Sequence, residues 1–188
     1  GPLSRAKEHI KEHRLEEKIQ TRLSDGLANI KPGEADSLIM SGIGGILMMR
    51  LLQDEEHTAK SFKELILSPQ SELFDVRRYL VSNGYLIEYE HMLCDERKYY
   101  FIFHVNEKKD EREWSEEEYR YGKDICKDDM KTFLAYLEKE ERQYEQILEK
   151  MKQAPENDRA VQRIAQLHQD ITCLKKRRQL VYDCGCFA

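Results

Sequence analysis

Two long runs of apolar residues, spaced alternately three and four apart, set the strongest limit on how this chain can fold. Met130, Leu134, Leu137, Tyr144, Leu148 and Met151 form the first, interrupted at Glu141. Val161, Ile164, Leu167, Ile171, Leu174 and Val181 form the second, interrupted at Arg178. That spacing draws one apolar stripe along each of two helices, the a and d seam of a coiled coil. Residues 153–158 separate the runs, contain Pro155, and offer Asn157 or Asp158 as a helix cap. A short link between heptad helices predicts an antiparallel hairpin. Pairing within the chain costs less loop entropy than pairing between chains. About 24 residues at about 1.5 Å each give an arm of about 35 Å.

The first hundred residues have a different grain. Residues 3–15 read as a helix. Residues 18–23 (KIQTRL) read as a short strand ending at the turn Ser24-Asp25-Gly26. Residues 37–40 (SLIM) are a compact apolar strand suited to burial on both faces. Gly42, Gly44 and Gly45 follow, and the apolar residues 46–52 open a helix. Residues 64–67 (ELIL) form a third buried strand stopped by Ser68-Pro69, and residues 73–83 a helix stopped by Gly84. Residues 85–93 and 98–105, rich in aromatic and β-branched side chains around a polar turn, predict an antiparallel hairpin. This order is the back half of a doubly wound α/β sheet with an antiparallel edge. The leading strands of such a sheet are expected ahead of Gly1. The predicted fold class is therefore α/β: an incomplete Rossmann-like sheet over residues 1–112, followed by a helical coiled-coil hairpin over residues 113–188.

In an open α/β sheet, ligands bind outside the carboxyl ends of the strands. Three turns are predicted at that edge. At the first, Asp25 either serves an ordinary Asp-Gly turn or accepts hydrogen bonds from a ligand amine or hydroxyl. The second, Ser41-Gly42-Ile43-Gly44-Gly45, joins a strand to a helix. Its glycines permit either close approach of a ligand to the backbone or tight strand-to-helix packing. It lacks the Lys-Ser/Thr of a phosphate loop and the spacing of a dinucleotide fingerprint. The third is Ser68-Pro69-Gln70. No Ser-His-Asp order or His-Glu-x-x-His helix is present in the sequence.

The net charge of −5 argues against a uniformly basic coat for nucleic acid, but the distribution is uneven. Residues 157–188 hold six basic residues against three acidic ones, four of the basic ones in the run Lys175-Lys176-Arg177-Arg178. That run is either a solvated face favourable to a helix C-terminus or a contact for RNA phosphate. Five scattered cysteines, an odd number, point to reduced thiols and a cytoplasmic location. Cys184 and Cys186 form a close pair with no second pair to complete a zinc site. The six histidines suggest no metal ligand set, and no apolar run reaches the roughly 18 residues of a membrane span.

Several stretches, taken in order, resemble a known family. Gly1-Pro2-Leu3, Arg22-Leu23-Ser24-Asp25-Gly26-Leu27, Ser37-Leu38-Ile39-Met40-Ser41-Gly42-Ile43-Gly44-Gly45 and Leu67-Ser68-Pro69 are similar to segments of the TrmK family, bacterial tRNA (adenine-22-N1)-methyltransferases. Arg78-Tyr79-Leu80, Asn83-Gly84-Tyr85, the hairpin ending in Lys98-Tyr99-Tyr100 and the terminal helical hairpin continue the likeness. The resemblance implies a Rossmann-like domain that binds S-adenosyl-L-methionine and a coiled coil that helps grip tRNA. It implies N1-methylation of a tRNA adenine, at position 22. Asp25, Gly26 and Leu27 would border the cofactor adenine. Ser41, Gly42, Ile43, Gly44 and Gly45 would wall its methionine end and the incoming base. Ser68, Pro69, Lys175, Lys176, Arg177 and Arg178 would meet the RNA. The family's usual Ala-Gly-Met-Gly-Gly reads Ser-Gly-Ile-Gly-Gly here, and its Gln-Pro-Asn turn reads Ser-Pro-Gln. Its Asp-x-Gly loop and ribose-binding acid would lie ahead of Gly1, so the chain as given is expected to be inactive alone. A monomer or weak dimer, without metal or membrane, is expected. The alternative is a non-catalytic RNA-binding or scaffold protein derived from a methyltransferase.

Overall fold

The structure, a computed structural model, describes residues 1–125, 129–152 and 158–183. Pro155, Asn157, Cys126, Cys184 and Cys186 lie outside the described residues. After a first helix, α1 (Pro2–Glu12), the chain builds a four-stranded sheet. Strands β1 (Ser37–Ile43) and β2 (Glu64–Pro69) run parallel, with Ile39 opposite Ile66 and Ser41 opposite Ser68. Parallel neighbours require a crossover, supplied by α2 (Gly45–Asp54) and α3 (Glu56–Ala59). Helix α4 (Leu73–Ser82) leads to the hairpin of β3 (Leu86–Asp95) and β4 (Lys98–Asn106), and β4 inserts beside β2 to give the order β1-β2-β4-β3. Glu96 and Arg97, at φ 45° and 65°, form the two-residue hairpin turn, whose left-handed backbone matches the twist of the strands.

One face of this sheet carries the core. Met40, Leu65, Leu67, Phe101, Phe103 and Val105 cluster with Met48, Leu52, Val76 and Leu80 of the helices. Fully buried apolar side chains of this kind contribute about 1.5–3 kcal/mol each. The opposite face is open. Ile39 is 68% exposed and Leu93 44%. The expectation that residues 37–40 are buried on both faces is therefore corrected: no described helix covers the side that Ile39 occupies. A second correction concerns residues 18–23, which form no strand. Ile19 and Leu23 are exposed, and the segment pairs with no described strand. Strand propensity alone does not make a ladder, because every ladder hydrogen bond comes from a neighbour.

From about Ser115 onward the sequence reads as purely helical, but the described chain breaks after α5. Helix α5 (Glu116–Tyr121) opens on a capping box formed by Ser115 and Glu118 and stops at Gly122, φ 87°. A Cβ at Gly122 would stand 2.8 Å from a Glu90 carboxylate oxygen, so the stop is enforced by packing. Glu90 pairs with Arg77 at 2.7 Å, both side chains fully buried, and Arg77 also donates to the Tyr119 and Arg120 carbonyls. One guanidinium thus fastens α4, β3 and α5 together.

Helices α6 (Met130–Lys152) and α7 (Asp158–Asp183) pair as an antiparallel hairpin. Leu148 packs with Leu167 and Ile171 near the tip, while Phe133, Leu137, Leu174 and Val181 join the sheet's own core at the base. The two lapses in the heptads, Glu141 and Arg178, meet as an ion pair, with Lys175 joining at 3.5 Å. Val161, expected in the seam, is instead 57% exposed.

Candidate active site at the strand ends

The carboxyl ends of β1 and β2 lie side by side, so their loops are built against each other. The Gln70 amide donates to the Ile43 carbonyl at 2.9 Å. The Gly45 amide, at the start of α2, donates to the Glu72 carboxylate at 3.1 Å. Ser71 also donates to that carboxylate, which it can reach because Glu72 takes a left-handed backbone, φ 53°. A negative group at a helix N-terminus is favourable there. Glu72 was not apparent in the sequence, because its partner lies 27 residues away in the chain.

The three glycines of the β1–α2 turn have different duties. At Gly45 an added Cβ would fall 2.6 Å from the Ser71 carbonyl oxygen and 2.7 Å from a Val76 methyl. At Gly44 it would meet the Ser71 hydroxyl at 3.1 Å. These two are there for packing. Gly42 takes φ 77°, and nothing lies within 4 Å of where its Cβ would be. The backbone at Gly42 is therefore uncovered, at the end of β1. Ser41, exposed, and Ser68, 7% exposed, are register partners. Both line a cavity of about 350 Å³ on the open sheet face, whose apolar lining includes Ile39, Ile66 and Ile102. Pro69 and Ile43 stand opposite each other at the end of the ladder.

The Asp25 turn reaches this ensemble less directly. Its carbonyl accepts from the Ala28 amide, closing an ordinary turn, and its side chain is exposed. Gly26, φ 54°, packs against α2 so closely that a Cβ would lie 2.4 Å from a Leu51 methyl. Leu27 is buried in the core at 6% exposure. Arg22 braces the same loop, donating to the Asn29 carbonyl and pairing with Glu34, whose carboxyl it holds at about 2.

The basic run of α7 is engaged within the molecule. Lys176 pairs with Glu117, and Lys175 and Arg178 with Glu141. Burial pushes the Arg177 guanidinium below its ordinary range; it lies over the Phe133 ring and donates to the Lys123 carbonyl. The side chains of Lys175 and Lys176 nonetheless remain 54% and 62% exposed. No group of three or more potential metal ligands occurs among the described residues, and no described helix is long and apolar enough to cross a membrane.

The sequence model of TrmK, tRNA (adenine(22)-N(1))-methyltransferase, matches residues 1–176. The chain belongs to that family. A curated TrmK-family relative, the tRNA (adenine(22)-N(1))-methyltransferase of Bacillus subtilis, is 31% identical over 102 residues, covering 54% of this chain and 43% of its own. A tRNA methyltransferase homologue from Mycoplasma pneumoniae is 28% identical over 116 residues, 62% of this chain and 53% of its own. The chain spans about half the length of these curated relatives. Among solved structures, a Streptococcus pneumoniae protein in complex with S-adenosyl-L-methionine superposes with a TM-score of 0.79 at 26% identity, covering 95% of this chain and 77% of its own. A Streptococcus agalactiae protein of the NADB-Rossmann superfamily gives 0.81 at 24% identity, covering 95% and 76%, which establishes the Rossmann-like α/β fold.

Proposed function

We propose that this TrmK-family chain takes part in S-adenosyl-L-methionine-dependent methylation of N1 of an adenine in tRNA, at position 22. The observation that carries the reading is Gly42, held at positive φ with open space over its Cα at the end of β1. That is where a methyltransferase of this fold needs cofactor and base to approach the backbone. Ser41, Gly42 and Ile43 would wall the methionine end, and Ser68 and Pro69 would face the incoming base. Asp25 supplies the free carboxylate for the cofactor adenine, while Gly26 and Leu27, packed against α2 and the core, can contribute only backbone. When bound, S-adenosyl-L-methionine supplies an electrophilic methyl group.

The residues then have to align and to desolvate. N1 of neutral adenine carries an in-plane lone pair, so no proton must leave before attack and no general base is needed. Holding N1 in line with the methyl carbon is the main contribution, of a kind worth up to about 7–11 kcal/mol in well-aligned systems. N1 lies on the pairing edge, so the base must be presented unpaired or drawn out of its stack. Lys175 and Lys176 are the members of the basic run exposed enough to meet RNA phosphate.

β1 has β2 on one side and no described strand on the other. A pocket at the strand ends needs walls on both sides, so we assign the second wall to a strand added along the free edge of β1. The chain as given is expected to bind cofactor weakly and to transfer no methyl group. The test is incorporation of labelled methyl into tRNA, DNA and protein, by this chain and by a form extended ahead of Gly1. Incorporation into tRNA by the extended form alone supports the reading. Transfer to DNA or protein instead, or tRNA binding without cofactor affinity in both forms, overturns it. In the extended form, Asp25→Ala should weaken cofactor binding about tenfold, equal to the roughly 1.4 kcal/mol of one lost hydrogen bond.

A further inference from the structure

A second cavity, of about 310 Å³, lies where α4, α5 and α6 meet. We propose that it holds an amino-bearing base of the RNA other than the base that is methylated, a reading that rests on tRNA being the substrate. Four aromatic rings border it, those of Phe74, Tyr121, Tyr136 and Tyr144. Such rings are stacking platforms for any base. Beside them in the lining stands Glu140, largely removed from solvent next to the Tyr136 and Tyr144 phenols. A carboxylate has about four lone-pair sites, enough to accept from an exocyclic amine as well as from neighbouring phenols.

The cavity wall also carries an unspent donor. Arg120 pairs with Asp170 and Glu116 through its terminal nitrogens, at 2.9 Å each, and its ring-side face lies over Phe74. Its Nε is buried without a hydrogen-bond partner. A buried N–H left unsatisfied costs about 1–3 kcal/mol, and a base edge, with a ring nitrogen or carbonyl beside its amine, offers the acceptor it lacks. Cementing α5 to α6 would need none of this, since apolar contacts join helices at least as well as buried ionic groups.

Position favours a nucleotide near the reacting one. Glu72 lines the cavity and its carboxylate accepts from the Gly45 amide, so the cavity and the glycine turn share a wall. A base that must leave its stack disturbs its neighbours. A site one residue away from the glycine turn can receive one of them and hold the RNA open.

The experiment titrates the chain with AMP and CMP, with UMP as the comparator without an exocyclic amine, and follows the Tyr136 and Tyr144 ring signals by NMR. Saturable shifts with AMP or CMP, at least about fivefold tighter than with UMP, are expected. Glu140→Gln should remove that preference, and Phe74→Leu should weaken all binding about tenfold, in line with loss of one stacking platform. Neither variant should change the melting transition by more than a few degrees; should Phe74→Leu unfold the chain, the isosteric Glu140→Gln still decides. Absence of saturable shifts, equal affinity for UMP, or indifference to both substitutions overturns the proposal. In the extended, active form, methyl transfer whose KM for tRNA ignores both substitutions refutes this site and leaves the methyltransferase reading intact. Base capture by the cavity in a protein that methylates nothing supports the site and refutes the methyltransferase reading.

Discussion

Gly42 and Gly45 stand three residues apart in one turn, yet substituting them should have opposite signatures. Gly45→Ala drives a Cβ into the Ser71 carbonyl oxygen at 2.6 Å, backbone that cannot step aside cheaply. We expect a loss of about 1–3 kcal/mol in denaturant unfolding, typical of overpacking. Gly42→Ala meets no neighbour and suffers only the left-handed backbone, about 1–2 kcal/mol. Its larger effect should fall on cofactor affinity in the extended form, and unchanged affinity would remove Gly42 from the site. The sequence presented these glycines as one motif with two readings: close packing is seen at Gly44 and Gly45, and ligand approach is proposed for Gly42. Which glycine does which depends on Ser71 and Val76, far along the chain. Two carboxyls make a matched pair for pH. Burial alone would raise Asp110, but hydrogen bonds from Arg112 and Trp114 outweigh it and hold the group at about 2. A lowered folded value contributes stability that is present above pH about 4 and lost as pH falls toward 2. Glu140 is shifted the other way, raised mainly by burial. Its contribution is present below its ordinary range and is lost as pH rises through the raised value. Melting temperature against pH should therefore have a shallower acid-side slope in Asp110→Asn, and Glu140→Gln should flatten the decline above the ordinary carboxylate range.

At the scale of elements, the sequence was most legible where periodicity is long and its consequence local. The two heptad runs specify α6 and α7 and their antiparallel pairing, and SLIM and ELIL specify β1 and β2. Residues 18–23 have the same local character as a strand but do not become one, because pairing belongs to the partner and none is present among the described residues. The break at Gly122 was hidden for a related reason: it is imposed by the Glu90 carboxylate, which sits there only to meet Arg77. That pair is the joint between the sheet and the arm. Arg77→Met should strand a buried carboxylate and destabilise the chain by about 3–5 kcal/mol, and Arg77→Met with Glu90→Leu should recover much of it. A double variant no better than the single one would show that the Arg77 bonds to the α5 carbonyls matter more than its charge partner. The heptad lapses are a gentler case. Glu141 is buried while Arg178 keeps 30% of its side chain exposed, so their pair should contribute modestly. Its use is registry, since only one alignment of α6 on α7 brings the two lapses together.

For the whole molecule, the arrangement of helices is lopsided. The sheet has its core on one side, while on the other Ile39, Leu93 and Tyr89 stay exposed, and Ile46 at the start of α2 is exposed by 67%. A doubly wound sheet buries both faces, and its strands read as continuous apolar runs for that reason; SLIM and ELIL are such runs. The composition of β1 is thus suited to a more enclosed position than it has here, and no strand among the described residues pairs with its outer edge, a template for another strand. An extended form that adds a strand and a covering helix should unfold in a single transition at higher temperature than this chain. It should also protect the β1 amides from hydrogen exchange. Ile39 discriminates between causes. Ile39→Glu should leave this chain within about 0.5 kcal/mol of its parent, since the side chain already meets solvent. In the extended form the same change should cost about 2–4 kcal/mol, the penalty for placing an unpaired carboxyl in a core. If both forms lose equally little, the open face stays open in the longer protein, the second wall of the cofactor pocket is not built along β1, and the site assigned to Gly42 must be completed from another direction.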